Sequence, residues 1–174
     1  ANCIAQTFAQ AFGRAHNTQL IGGALEPLYR PATSTAPATL SFREDYPASA
    51  LHEVAHWCIA GTQRRRQEDF GYHYITGPRN AEDQVVFFES ELRTQSLERA
   101  FALALGLEFQ PSADNVEADI DAFTQAIQAH TPTLHDWLAS SAGARARIFI
   151  RALERTRERI AKDPHPPLAL GAAR

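Results

Sequence analysis

Residues 46–61 read Tyr-Pro-Ala-Ser-Ala-Leu-His-Glu-Val-Ala-His-Trp-Cys-Ile-Ala-Gly. Proline suits the first turn of a helix, where its absent N–H forfeits no hydrogen bond, and the Ala, Leu and Glu that follow favour continuation. Gly61 is a candidate residue just past the end. The run therefore predicts a helix over about 47–60. Inside it stands His52-Glu-Val-Ala-His56. At about 100° per residue the two histidines lie about 40° apart round the axis and one turn along it, so both imidazoles can reach one metal ion. Glu53 points about 100° to the flank. With seven His and twelve Glu in the chain, an HExxH is expected about 0.02 times by chance, so the spacing reads as a metal site. Trp57 and Cys58 lie about 100° and 200° further round than His56 and are predicted to pack in the core.

Two histidines need a third ligand. The nearest rich source is the Phe87-Phe-Glu-Ser-Glu-Leu92 segment, where Glu91 is the first choice and Glu89 the fallback. A carboxylate there completes a set of two histidines and one carboxylate with coordination positions to spare. Two chemistries share such a set. In a zinc hydrolase, a peptidase or nuclease, Glu53 is the general base that takes a proton from water. In a non-haem iron oxygenase the open face accepts dioxygen and no proton-abstracting glutamate is required. The motif alone does not choose. A binding module with a purely structural metal is weaker, because three ligands leave a position unfilled.

Outward from the motif, Ile4, Phe8 and Phe12 recur at four-residue steps, which predicts a short packing helix over 2–14. Segments around 18–23, 26–32 and 39–45 are short, partly β-branched or aromatic, and divided by Gly and Pro, which predicts a small sheet. The stretch 64–80 reads as an irregular loop with at most a short strand. Asn80 with Asp83 resembles a cap before a helix to about Leu105, with Ser90 as a candidate break. Residues 108–115 read as a loop. Helices are expected near 116–130, over 132–140 with Pro132 in the first turn, and over 143–161 with Ile148, Leu153 and Ile160 facing the core. The fold class expected is α+β: a mostly helical single domain, residues 1–163, with a small β-sheet and an HExxH metal-binding helix. The proline-rich 164–174 is expected to be a loosely ordered tail.

The 174 residues are 44% hydrophobic and 21% charged, an ordinary globular balance in a single-domain length. No run of eighteen uncharged apolar residues occurs, so no membrane span is expected. The first sixteen residues do not read as a secretory signal, and two cysteines, Cys3 and Cys58, make no disulfide framework. A reduced, cytoplasmic protein is the expectation. A net charge of −3 argues against indiscriminate nucleic-acid binding. That average conceals segregation: eleven acidic residues against two arginines over 80–136, then seven basic residues against two glutamates over 145–162. The two regions could pair in cis, greet an acidic macromolecule, or be solvated faces.

The 46–61 run, followed by Arg64–Arg65, Asp69-Phe-Gly-Tyr72 and Tyr74, and later by Glu91, Gln95, Leu97 and Asp114–Asn115, resembles the bacterial elongation factor P hydroxylase family across most of residues 20–160. The resemblance implies a cytoplasmic monooxygenase-type enzyme. Its substrate would be translation elongation factor P, at a lysine that already carries a β-lysyl group, and molecular oxygen the oxidant. It implies Fe(II) at His52, His56 and Glu91, with zinc or another divalent ion able to occupy the same ligands. The family has an aromatic residue where this chain has His73, so His73 is not expected as a ligand. The residues fit what the resemblance implies on three points: two nitrogens and one carboxylate suit Fe(II) with room for dioxygen, hydroxylating an unactivated C–H bond demands a redox metal where Zn²⁺ is redox-silent, and an acidic protein substrate could be steered by arginines beside the site or on the C-terminal helix.

Several neighbours are candidates for supporting roles. Glu53 is a proton relay or an acceptor that orients a ligand; Asp69 is an acceptor for a ligand imidazole or a grip for a substrate ammonium group. Tyr72 and Tyr74 could wall the pocket, and Arg64, Arg65 and Arg66 could steer an acidic protein. His16, His130, His135 and His165 lack ligand spacing. The acidic group from Asp114 to Asp121 lacks the spacing and glycine of a calcium loop and reads as a helix start.

Overall fold

The aromatic repeat at the N-terminus folds as expected, with one irregularity. Helix α1 (Asn2–Phe8) passes through a π-helical turn, Ala9–Gly13, into a last short turn α2 (Arg14–His16), and Asn17 ends it in the left-handed conformation (φ 46°, ψ 47°). Ile4, Phe8 and Phe12 are all buried. Strands β1 (Thr18–Ala24), β2 (Leu28–Arg30) and β3 (Ala38–Arg43) follow, and the computed structural model orders them β1-β3-β2, with β3 parallel to β1 and antiparallel to β2. The structure describes residues 1–71, 81–112 and 120–163, for residues 81–87 the backbone alone. Gly22 is required where β1 bulges against β3: a Cβ there would stand 2.7 Å from the Phe42 ring.

The decisive run forms α3 (Pro47–Ile59) with Pro47 in its first turn. Gly61 follows the end but has no left-handed φ, so it stops nothing by conformation. Arginines end the helix instead. Arg145 Nη2 donates to the carbonyls of Trp57, Cys58 and Ala60 at 3.3, 3.0 and 2.6 Å, and Arg65 Nη1 donates to Ala60 as well. These are carbonyls of α3's last turn, and the cations also oppose its dipole.

Helix α4 (Ala81–Leu105) runs unbroken through Ser90. Helices α5 (Ile120–Ala129), α6 (Thr131–Ala139) and α7 (Ala144–Lys162) complete a mostly helical domain with a small three-stranded sheet. One hydrophobic cluster runs from Ile4 to Leu153, with Trp57 packed edge-on to Phe8 and against Phe12, and Phe149 against Phe101. Trp57 and Cys58 are buried, as the helix geometry predicts. Cys3 and Cys58 are free thiols, and burial pushes that of Cys58 up to about 12.

One expectation about α7 fails. Leu153 is fully buried, but Ile148 is 46% and Ile160 41% exposed. The buried stripe is Ala146, Phe149, Leu153 and Thr156. Ile148 is one residue off that stripe, about 100° round the helix. Ile160 continues it beyond Thr156, past the last buried position. No helix among the described residues is long and apolar enough to cross a membrane. The tail 164–174, with His165, and the residues from Asp114 to Asp119 lie outside the described residues.

Candidate metal centre

His52 and His56 stand one turn apart on α3, and Glu91 comes from the facing helix α4. One ligand atom from each lies within 4.8 Å of the others, a cluster that could hold a metal ion. The Nε2 atoms of His52 and His56 are 3.1 Å apart. Glu91 Oε2 is 3.7 Å from His52 Nε2, and Oε1 is 3.5 Å from His56 Nε2. Glu89, the fallback, is exposed and outside the cluster.

The partner of His52's other nitrogen is Glu98, whose Oε2 lies 2.9 Å from Nδ1. Glu98 escaped the sequence reading, and its signal is the spacing Glu91, Gln95, Glu98: steps of four and three that align all three on one face of α4. A carboxylate there fixes the proton on Nδ1 and leaves the Nε2 lone pair aimed at the cluster. Gln95, buried, holds the third donor. Its Nε2 donates to Glu91 Oε2 at 3.1 Å and to the Ser112 carbonyl at 2.7 Å, while its Oε1 accepts from the Ser112 N–H at 3.0 Å. Thus one amide ties the chain after α4 to the carboxylate.

Electrostatics match the geometry. Burial alone would lower the His52 pKa, but the hydrogen bond it donates to Glu98 and the charges of Glu91, Glu98 and Glu53 raise it to about 9. Burial would raise Glu91, yet the contacts from His56, the charge of His52 and the Gln95 amide bring it down to about 2. Glu53 is buried, which raises its pKa; the two histidines oppose the rise, and Asp69 and Glu91 add to it.

All these groups line one cavity of about 740 Å³, at whose wall Glu26, Arg43 and Tyr46 also stand. Five carboxylates, Glu26, Glu53, Asp69, Glu91 and Glu98, face it against a single arginine. That balance favours a cationic guest.

Asp69 occupies this wall without contacting an imidazole nitrogen in any hydrogen bond described: its Oδ1 accepts the Tyr29 N–H at 2.8 Å. Asp69 (φ 45°, ψ 34°) and Phe70 (φ 57°, ψ 20°) are left-handed, a conformation that costs non-glycine residues about 1–3 kcal/mol each and clusters at functional sites. Phe70 stacks on Tyr29, with ring centroids 4.2 Å apart, and lies parallel to His56 at 6.4 Å. Arg64 Nε donates to the Phe70 carbonyl at 2.8 Å, and Arg65 serves the end of α3, so neither lines the acidic cavity. Tyr72, His73 and Tyr74 lie outside the described residues.

Residues 7–163 match the profile of a family described as elongation factor P hydroxylase. The chain is 41% identical over 128 residues to the elongation factor P lysine hydroxylase of Haemophilus influenzae, an alignment covering 71% of this chain and 72% of that protein.

Proposed function

The chain belongs to the elongation factor P hydroxylase family, and from that premise we propose that it hydroxylates a lysine of translation elongation factor P, already extended by a β-lysyl group, using Fe(II) held by His52, His56 and Glu91. The observation that carries the metal assignment is the donor set itself: two imidazole nitrogens and a carboxylate within 4.8 Å, with Glu98 on the far nitrogen of His52. Two nitrogens and one oxygen suit iron(II) with open positions.

When bound, a redox-active metal supplies the dioxygen activation that an unactivated C–H bond requires. The overall change places one oxygen atom in the C–H bond and reduces the other to water, with two electrons and two protons drawn from an external reductant. The protein's own groups prepare that reaction. Glu98 keeps the His52 tautomer, and Gln95 holds the Glu91 carboxylate. Asp69 and Glu26, on the wall of the same cavity, would attract the ammonium groups of a lysylated lysine. Glu53, buried on the cavity wall, would act as an acceptor for a ligand or as a proton relay. A translation factor as substrate puts the reaction in the cytoplasm.

The test is mass spectrometry of lysylated elongation factor P after incubation with anaerobically purified protein and oxygen. The expected result is a gain of one oxygen atom on the modified lysine, abolished in His52→Ala. Cleavage of a peptide or nucleic acid, lost in Glu53→Gln, would replace this reading with the zinc hydrolase, since removing a general base costs about 10²–10⁴ in rate.

A further inference from the structure

A second cavity, of about 510 Å³, shares no lining residue with the first. Its wall includes Arg14, His16, Tyr29, Trp57, Arg65 and Arg66. Where the metal cavity gathers carboxylates, this one has none among its lining residues and three arginines instead.

The charge there is larger than the fold needs. Arg65 and Arg145 converge on the end of α3, their guanidinium carbons 5.8 and 5.0 Å from the Trp57 ring centroid. Among the described residues neither takes part in an ion pair. The carbonyl end of a helix offers about half a negative charge, so two guanidiniums exceed it several-fold. Arg14 and Arg66, both exposed, add to the excess. Burial, and then the charge of Arg65, lower the pKa of Arg145, and burial with both arginines lowers that of His16.

The hydrogen-bond inventory points to the same place. Two buried side-chain polar atoms among the described residues have no partner, Trp57 Nε1 and Arg145 Nε. Both are donors, and they belong to side chains in contact. Trp57 is 1% exposed and lines the cavity. Capping α3 occupies Arg145 Nη2 and Arg65 Nη1 and leaves these N–H groups unused. Of the two side chains only Trp57 lines the cavity; a neutral acceptor at its N–H would leave the charge of the lining arginines, and an anion answers both.

We propose that this cavity binds a phosphate-bearing small molecule, gripped by Arg14, Arg65 and Arg66 with the indole N–H of Trp57 as a further donor. Phosphate fits better than a carboxylate because it carries up to two charges, and the planar guanidinium pairs with its oxygens two at a time. The volume lies within the range of about 300–1,000 Å³ typical of small-ligand sites and leaves room for more than a bare phosphate. The site stands apart from the proposed metal and does not depend on the hydroxylase reading.

The two tryptophans, Trp57 and Trp137, give two indole N–H resonances in the ¹⁵N-labelled full chain, which makes the test direct. On titration with pyrophosphate the Trp57 signal is expected to move and saturate while that of Trp137 stays. The same shift is expected in His52→Ala, which separates this cavity from the metal ligands. In the Arg14→Ala/Arg66→Ala double variant, whose changes are exposed, affinity is expected to fall about tenfold or more. An ATP arm identifies the source: tighter binding than pyrophosphate supports a nucleotide, equal binding a phosphate group alone. A Trp57 resonance that stays put at millimolar pyrophosphate overturns the proposal, as does a shift unchanged in the double variant or abolished in His52→Ala.

Discussion

Replacing Glu98 by Gln keeps the shape of the side chain and removes the charge that faces His52 Nδ1 across 2.9 Å. An amide can still accept a hydrogen bond, but it no longer raises the basicity of the imidazole, and losing such an outer partner typically costs about 10–100-fold in metal affinity. That loss is the expected outcome in a chelator competition assay, with the circular dichroism of the variant unchanged. Protons compete for the same nitrogen. In the metal-free protein His52 is raised from 6.5 to about 9, so its contribution to stability is fully present below pH 6.5 and is lost as pH rises through about 9. Glu91 is lowered from 4.5 to about 2, so its contribution is present above pH 4.5 and is lost as pH falls through about 2. Urea titrations of metal-free protein are therefore expected to show these two groups contributing most between pH 4.5 and 6.5. Metal affinity runs the other way, rising about tenfold per pH unit from 6.5 toward 9 as the His52 proton becomes easier to displace. A flat affinity across that window would remove His52 from the ligand set.

At the scale of the elements, α3 shows how a site depends on a distant residue. Its two histidines are placed by local spacing, but its end is held by Arg145 from α7, 85 residues beyond Ala60. Arg145→Ala removes three contacts to carbonyls in a half-buried place. We expect a loss of about 2 kcal/mol and, for a chain of this size, a Tm lower by about 4–8 °C in a thermal melt. An unchanged Tm would mean that Arg65 alone suffices as the cap. What was legible in the sequence follows the same division. The helix over 47–60, the Ile4–Phe8–Phe12 face and the three short strands announce themselves through local periodicity and turn residues. The cap by Arg145 and the role of Glu98 do not, because both depend on which elements meet in space. In α7 the local signal misleads: apolar residues lie on both sides of an arginine-rich helix, and only packing against α1 and α4 selects Phe149 and Leu153 over Ile148.

At the scale of the whole molecule, the acidic segment 80–136 and the basic segment 145–162 form no ion pair with each other among the described residues: Arg151, Arg155, Arg157 and Arg159 are exposed on α7 and enter none of the ion pairs described. What joins the N-terminal and central parts is the core and the cluster of His52, His56 and Glu91, which spans α3 and α4. The donors come together only in the folded chain, so a metal there binds the native state and stabilises it by mass action, by about 4 kcal/mol at a thousand times its Kd. For this chain length that corresponds to about 8–16 °C in Tm. EDTA is therefore expected to lower the Tm of the metal-loaded wild type by an amount in that range. Glu98→Gln, with its weaker site, should show a smaller drop. His52→Ala, already metal-free, should show none. If EDTA strips the metal from the wild type and leaves its Tm in place, the ion does not bridge the two helices, and the three donors, although adjacent, are not its ligands.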